Sequence, residues 1–289
     1  MTDSAERDAA EEASAFSHPP VTPDATAAYG SHPDQVVDFY TSRDGNNAAP
    51  LVVLLHGGAW RAPYDRTHLT PFADFLARRG FVVANVEYRR GSLLPQQGGD
   101  APVAGRWPDT FDDVAAALDA LPALVRDAVP HADPRRTVLA GHSAGGHLAL
   151  WAAGRHVLPE GSPWRTPRPA PLRGVVAMAP IADFAKALEL DVCGGAVLQL
   201  LGGKGELAAR APHADPAALL PTGIATVVVQ GREDIVVPQA VAEAYVDAAA
   251  KAGETVGLTL LDDVGHFPLI DPAADACAVV AEEIAQLAY

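Results

Sequence analysis

Thr137-Val138-Leu139-Ala140-Gly141-His142-Ser143-Ala144-Gly145-Gly146-His147-Leu148-Ala149-Leu150-Trp151 is the stretch that decides the fold. A short β-branched and apolar run ends in Gly-x-Ser-x-Gly, and a helical pattern, Ala144–Arg155, follows at once. A serine between two glycines at a strand-to-helix junction is the signature of a nucleophile elbow. The turn is so tight that side chains two residues before and two after the serine would collide with neighbouring backbone. The serine is thereby lifted above the sheet edge, and the helix directs its N-terminal dipole at developing negative charge.

Outward from this point the chain alternates. Short apolar runs fall at Val36–Tyr40, Leu51–Leu55, Phe81–Val86, Gly174–Ala177, Ala225–Val229 and Val256–Leu261. They are continuous rather than alternating, which predicts strands buried on both faces of a parallel sheet. Helix-length patterns lie between them at Leu69–Arg79, Thr110–Val125, Pro238–Lys251 and Ala274–Leu287, with Gly80 and Gly253 at two C-terminal stops. Strand–helix alternation predicts one α/β domain over residues 35–289. Irregular sequence, rich in Ala, Gly and Pro, places a cap insertion near 181–222. Residues 1–34 carry Ala, Pro, Asp and Glu without periodicity and read as an arm, either disordered or ordered across part of a pocket.

Composition narrows the partners. With 289 residues, 49% of them hydrophobic, the chain can bury a substantial core. Lys+Arg 21 against Asp+Glu 36 gives a net charge of −15, which repels a phosphate backbone and an anionic membrane surface. No apolar stretch is long enough to cross a bilayer and no apolar leader follows a basic start, so the expectation is a cytoplasmic protein. Cys193 and Cys277 stand far apart and form no CxxC. No zinc-ligand spacing, HExxH or phosphate-cradling glycine loop is present, so no metal or organic cofactor is expected. The expected partner is a small molecule.

A serine nucleophile needs a base, and the base an orienting acid. Behind an elbow of this type they follow in the order Ser, Asp or Glu, His. The run Ala225–Val229 leads into Gln230-Gly231-Arg232-Glu233-Asp234, and Val256–Leu261 leads into Asp262-Asp263-Val264-Gly265-His266. Both follow the C-terminal ends of successive strands, where ligand-handling residues of parallel sheets gather. Ser143, Asp234 and His266 are therefore the candidate catalytic residues. Asp234 has a plainer alternative as the cap of the helix that starts near Pro238, and Glu233 is its neighbour and rival. Leu51–Leu55 ends in His56-Gly57-Gly58-Ala59-Trp60, a turn whose backbone N–H groups lie open at the sheet edge. Gly58 and Ala59, with the N–H of Ala144, are the candidate oxyanion hole. Trp60, Tyr64 and Phe267 are the candidate pocket wall, which would keep acyl groups short.

These motifs resemble the α/β-hydrolase superfamily from about Val36 onward. His56-Gly57-Gly58-Ala59-Trp60 with Gly141-His142-Ser143-Ala144-Gly145-Gly146 is similar to two of its groups, the hormone-sensitive-lipase-like carboxylesterases and the kynurenine formamidases, which carry an HGGxW motif. The esterase group has a third glycine where Ala59 stands. The resemblance implies an eight-stranded, mostly parallel sheet with helices on both faces and a small cap. It implies a serine hydrolase of short-acyl carboxylic esters working through an acyl-enzyme. The alternatives are an arylformamidase acting on an N-formyl aromatic amine and a non-catalytic receptor of the same fold.

Overall fold

Leu51, Val53 and Leu55 pack into the core on one side of the sheet, and Val52 and Leu54 into the core on the other. Successive side chains of a strand point to opposite faces, so a strand covered on both faces must be apolar throughout. That is why these strands read as continuous runs. The computed structural model describes residues 4–45, 48–91, 104–105 and 107–289.

The sheet has eight strands: β1 (Ala25–Ala28), β2 (Val36–Tyr40), β3 (Ala49–Leu55), β4 (Val82–Val86), β5 (Ala132–His142), β6 (Gly174–Met178), β7 (Thr226–Gly231) and β8 (Gly257–Leu261). Their spatial order is β1-β2-β4-β3-β5-β6-β7-β8. β2 runs antiparallel to β1 and β4, and every pairing from β4 through β8 is parallel. This is the mostly parallel sheet that the apolar runs predict. The helices are α1 (Ser4–Ala15), α2 (Thr70–Ala77), α3 (Asp109–Ala128), α4 (Ala144–Ala153), α5 (Phe184–Glu189), α6 (Ala196–Leu200), α7 (Leu207–Arg210), α8 (Gln239–Lys251) and α9 (Asp275–Ala288). α2 and α9 bury their apolar stripes on one face of the sheet, and α3, α4 and α8 on the other. Because β3, β5, β7 and β8 are parallel, their C-terminal ends share one edge, and the loops that follow them meet there.

Two regions frame that edge. Residues 179–225, between β6 and β7, hold α5 to α7 and short 3-10 turns. They are tied to α4 by the Trp151 indole, which donates to the carbonyl of His213 at 2.9 Å, and by His147 Nε2 on the carbonyl of Ala214 at 2.9 Å. The second region is the N-terminal arm, whose first three residues lie outside the described ones. Past α1 the backbone N–H of Val21 donates to Thr70 Oγ1 at 3.0 Å, and the Tyr40 hydroxyl donates to the Val21 carbonyl at 2.9 Å. β1 then adds an antiparallel edge to β2. It consists of Ala-Thr-Ala-Ala, alternating between half-buried and exposed, and so has no apolar run by which a strand is recognised. Among the described residues no helix is long and apolar enough to cross a membrane.

Candidate active site

The elbow is built as its glycines require. A Cβ on Gly141 would stand 2.1 Å from the carbonyl oxygen of Gly145, and one on Gly145 would stand 2.1 Å from that of Leu55. Only hydrogen fits at either position, so the turn packs directly on the end of β3. Ser143 sits at φ 57° and ψ −119°, outside the regions that L-residues favour. It occupies the N-cap of α4 yet makes no side-chain capping bond, although serine usually caps in this place. Its backbone N–H is already committed to the carbonyl of Met178 at 2.8 Å, while Ala144 is the first residue of α4, where N–H groups have no partner within the helix. The strain thus frees the hydroxyl and leaves the Ala144 N–H directed out of the helix.

Two loops bring the other candidates to the same edge. His266 Nδ1 donates to Asp234 Oδ2 at 2.7 Å, and both side chains are buried. A carboxylate accepting at Nδ1 fixes the proton on that nitrogen and leaves Nε2 as the one that can take up a proton. Asp234 Oδ1 accepts from the backbone N–H groups of Val236 and Val237, each at 2.8 Å. The acid therefore fills both roles considered for it, holding the loop ahead of α8 with one oxygen and the imidazole with the other. Glu233 points away, exposed, with Arg7 of α1 at 3.4 Å. His142 packs against the His266 ring at 4.5 Å between centroids, with its Nε2 on the His266 carbonyl at 3.0 Å. Burial, and then the charge of His266, hold His142 well below the usual histidine range.

The His-Gly-Gly turn after β3 is braced from beneath. His56 Nε2 donates to Glu87 Oε1 at 2.8 Å, its ring stacks on Tyr88 at 4.2 Å, and the Tyr88 hydroxyl donates to the His56 carbonyl at 2.6 Å. Glu87 also accepts from Arg90 Nη1 at 2.7 Å and from the backbone N–H of Arg66 at 3.0 Å. Burial alone would raise the Glu87 carboxyl, but His56 and Arg90 outweigh it and hold it down to about 2. A depressed carboxylate contributes stability that is complete above its ordinary value of 4.5 and is lost as pH falls towards 2. Glu87→Gln should therefore cost about 3–5 kcal/mol at neutral pH by taking the carboxylate away from His56 and from the part-buried Arg66 and Arg90. In urea titrations the gap to wild type should narrow as pH falls below 4.5. A gap that stays constant across that range would show that the charge of Glu87 is not what matters.

Beyond Gly58 the turn enters the left-handed region, with φ of 50° at Ala59 and 56° at Trp60. Ala59 stands where related motifs carry glycine, and a residue with a Cβ meets a penalty of roughly 1–2 kcal/mol in that conformation. The reversal also decides the fate of Trp60. Its side chain turns inward, fully buried, with its ring edge on His147 at 5.0 Å. Trp60 does not line the pocket beside Ser143, and the expectation that it bounds an acyl site is corrected on that ground. Trp60→Ala should lower stability by about 3–5 kcal/mol, the usual cost of emptying a large aromatic site. Chemical denaturation would measure this, and a loss below about 1 kcal/mol would contradict the core assignment.

The cavity at the sheet edge is about 110 Å³ and includes Gly58, Ala59, His142, Ser143 and His266 in its lining. Tyr64 and Phe267 line it too, as their positions in sequence suggest. Phe16, Arg61, His68, Cys193, Val236 and Ile270 complete the wall and were not legible as site residues. Phe16 had one available signal, being the only aromatic residue among the first 28. Burial raises the Cys193 thiol to about 11, and burial followed by the neighbouring His56 lowers His68 to about 3. Both are therefore neutral near pH 7. A larger cavity of about 610 Å³, lined by residues such as Leu51, Leu121, Val125 and Leu172, is separate from this site.

A strained serine at a strand–helix elbow of this eight-stranded sheet defines an α/β-hydrolase. The chain belongs to the BD-FAE family, whose model matches residues 37–248. It is 25% identical over 247 residues to a probable isoprenylcysteine alpha-carbonyl methylesterase of Oryza sativa subsp. japonica, a match covering 82% of this chain and 56% of that protein. It is 30% identical over 110 residues to a probable carboxylic ester hydrolase, LipM, of Mycobacterium tuberculosis, covering 38% of this chain and 22% of that one. The chain thus spans little more than half the length of the first of these relatives. Among solved structures, an inhibited esterase B of Lactobacillus rhamnosis superimposes with a TM-score of 0.73 at 20% identity, covering 98% of this chain and 92% of that one.

Proposed function

We propose that this protein is a serine hydrolase that cleaves short-acyl carboxylic esters through an acyl-enzyme. The observation that carries the reading is a buried His266–Asp234 pair at 2.7 Å whose imidazole lines the same small cavity as Ser143. Ser143 Oγ attacks the acyl carbon as its proton passes to His266 Nε2, and Asp234 holds the imidazolium. The oxyanion rests on N–H groups of Gly58, Ala59 and Ala144, donors whose removal typically costs about 3 kcal/mol each. His266 then gives the proton to the departing alkoxide. Water, deprotonated by the same imidazole, attacks the acyl-enzyme; the bond to Ser143 Oγ breaks, the imidazolium returns the proton to Oγ, and the acid leaves.

The ester bond is favoured by the relatives, two of which are named as a methylesterase and a carboxylic ester hydrolase. A short acyl group is favoured by the cavity of about 110 Å³, far below the roughly 300–1,000 Å³ of sites for drug-sized ligands. One observation supports a second reading, hydrolysis of an N-formyl aromatic amine. Tyr64, Phe267 and Phe16 together give the cavity an aromatic lining that suits a flat leaving group. Purified protein should be assayed on nitrophenyl esters from acetyl to decanoyl beside an aryl formamide. The expected result is hydrolysis that peaks from acetyl to butyryl and exceeds formamide hydrolysis. Faster turnover of the formamide would assign the second reading. No turnover, with no fluorophosphonate labelling of Ser143, would leave a non-catalytic ligand-binding protein.

A further inference from the structure

Trp60 is in the core, so another group must bound the cavity on its open side. Phe16 is the aromatic residue placed to do so. Its ring meets Phe267 edge-on at 5.5 Å, His68 at 5.5 Å and Tyr64 at 6.5 Å, with one side left to solvent. A ring carried on a chain arm can serve as a wall only if the arm is held, and this arm is held on both sides of Phe16.

Before the ring, Glu11 Oε1 accepts from the Gly265 N–H at 3.2 Å, and Arg7 pairs with Glu233 at 3.4 Å. On either side of it, the Ser14 hydroxyl donates to Asp271 Oδ2 at 2.6 Å and His18 Nε2 bonds Asp271 Oδ1 at 2.7 Å. Asp271 is itself fixed by the Ala273 N–H at 2.8 Å. After the ring come the bonds of Val21 to Thr70 and Tyr40. Several of these anchors lie on the loops that carry Asp234 and His266, so the arm is registered on the site itself. The ring also belongs to residues outside the 37–248 that match the family model.

We propose that Phe16 is the specificity-determining residue for substrate length: clamped by Ser14 and His18 on Asp271, its ring closes the cavity and stops acyl chains longer than about butyryl. This rests on the hydrolase reading for its substrate, but the wall itself does not depend on catalysis. A longer chain must either displace the ring, breaking the Asp271 clamp, or leave its methylenes in water. Removing the ring opens the cavity to solvent along the path of the chain and gives those methylenes the faces of Tyr64 and Phe267.

The test compares wild type with Phe16→Ala, Phe16→Trp and the double variant Ser14→Ala/His18→Ala. The readout is the ratio of octanoyl to acetyl kcat/KM on nitrophenyl esters. Phe16→Ala should raise that ratio by about tenfold or more, as expected when several methylenes gain an apolar site. The unclamped double variant should raise it in the same direction, and Phe16→Trp should lower it. A merely structural role would move both substrates together and leave the ratio where it was. A parallel measurement needs no turnover: binding of butan-2-one and decan-2-one to the Ser143→Ala protein, with and without Phe16→Ala, by ligand-observed NMR. Loss of the ring should tighten decan-2-one relative to butan-2-one by about tenfold. Inactive wild type with this shift in ketone binding would refute the ester reading and keep the wall. Active wild type with an unchanged ester ratio in Phe16→Ala would overturn the wall and keep the ester reading.

Discussion

Ser143→Ala should lower kcat/KM on a short-acyl nitrophenyl ester by a factor on the order of 10⁴–10⁶ while the protein stays folded. The size follows from the mechanism, since without Oγ no acyl-enzyme forms and only oriented binding and the oxyanion donors remain. The retained fold follows from the local structure. The hydroxyl caps nothing in α4, so the helix loses no bond when it is removed. Alanine carries the same Cβ into φ 57°, so the strain of the turn is unchanged. Thermal unfolding should coincide with wild type within a few degrees. Undiminished ester hydrolysis by this variant would remove Ser143 from the mechanism altogether.

Asp234→Asn should cost about 10⁴ in kcat, again without loss of the fold, because it forces the wrong imidazole tautomer. The hydrogen bonds around the acid fix which way the amide faces. Two backbone N–H groups, from Val236 and Val237, point at Oδ1, so the asparagine oxygen must stay there. The NH₂ then faces His266 Nδ1, which can only accept from it, and the ring proton moves to Nε2 where a base is needed. Gln230 Nε2, which donates to Asp234 Oδ2 at 3.1 Å and to the carbonyls of Gly231 and Val237 at 3.1 Å each, loses only the first of these acceptors. Glu233→Gln should change activity by less than about threefold, because it disturbs only an exposed pair with Arg7. If the two variants exchanged behaviours, Glu233 would be the orienting acid.

Asp234 also shows where reading along the chain stops. Its position after β7 marked it as an acid at the right edge, yet capping and histidine orientation looked like competing roles. They are compatible because the two carboxylate oxygens face different partners, and no linear pattern records which oxygen faces which way. The strands were legible for a different reason. A parallel sheet covered on both faces demands unbroken apolar runs, and Leu51–Leu55 or Thr137–Ala140 can satisfy little else. β1 escaped because an edge strand exposed on one side can be built from Ala and Thr.

The sequence by itself determined the buried strands of the sheet, the elbow around Ser143, the loops that carry the candidate acid and histidine, and the glycine-rich turn after β3. Each is enforced over a few consecutive residues by sterics or by periodic burial, and so leaves a local mark. Only the tertiary structure decided which side of a turn a side chain takes and which distant segment covers the site. Trp60 went to the core because two successive left-handed residues reverse the backbone, a conformation that Ala59 does not advertise. Phe16 came to the pocket through contacts spanning more than 250 positions, such as Ser14 to Asp271, where |i−j| is 257. Contacts of that range depend on where the folded sheet brings its loops, and a sequence pattern carries no measure of that distance.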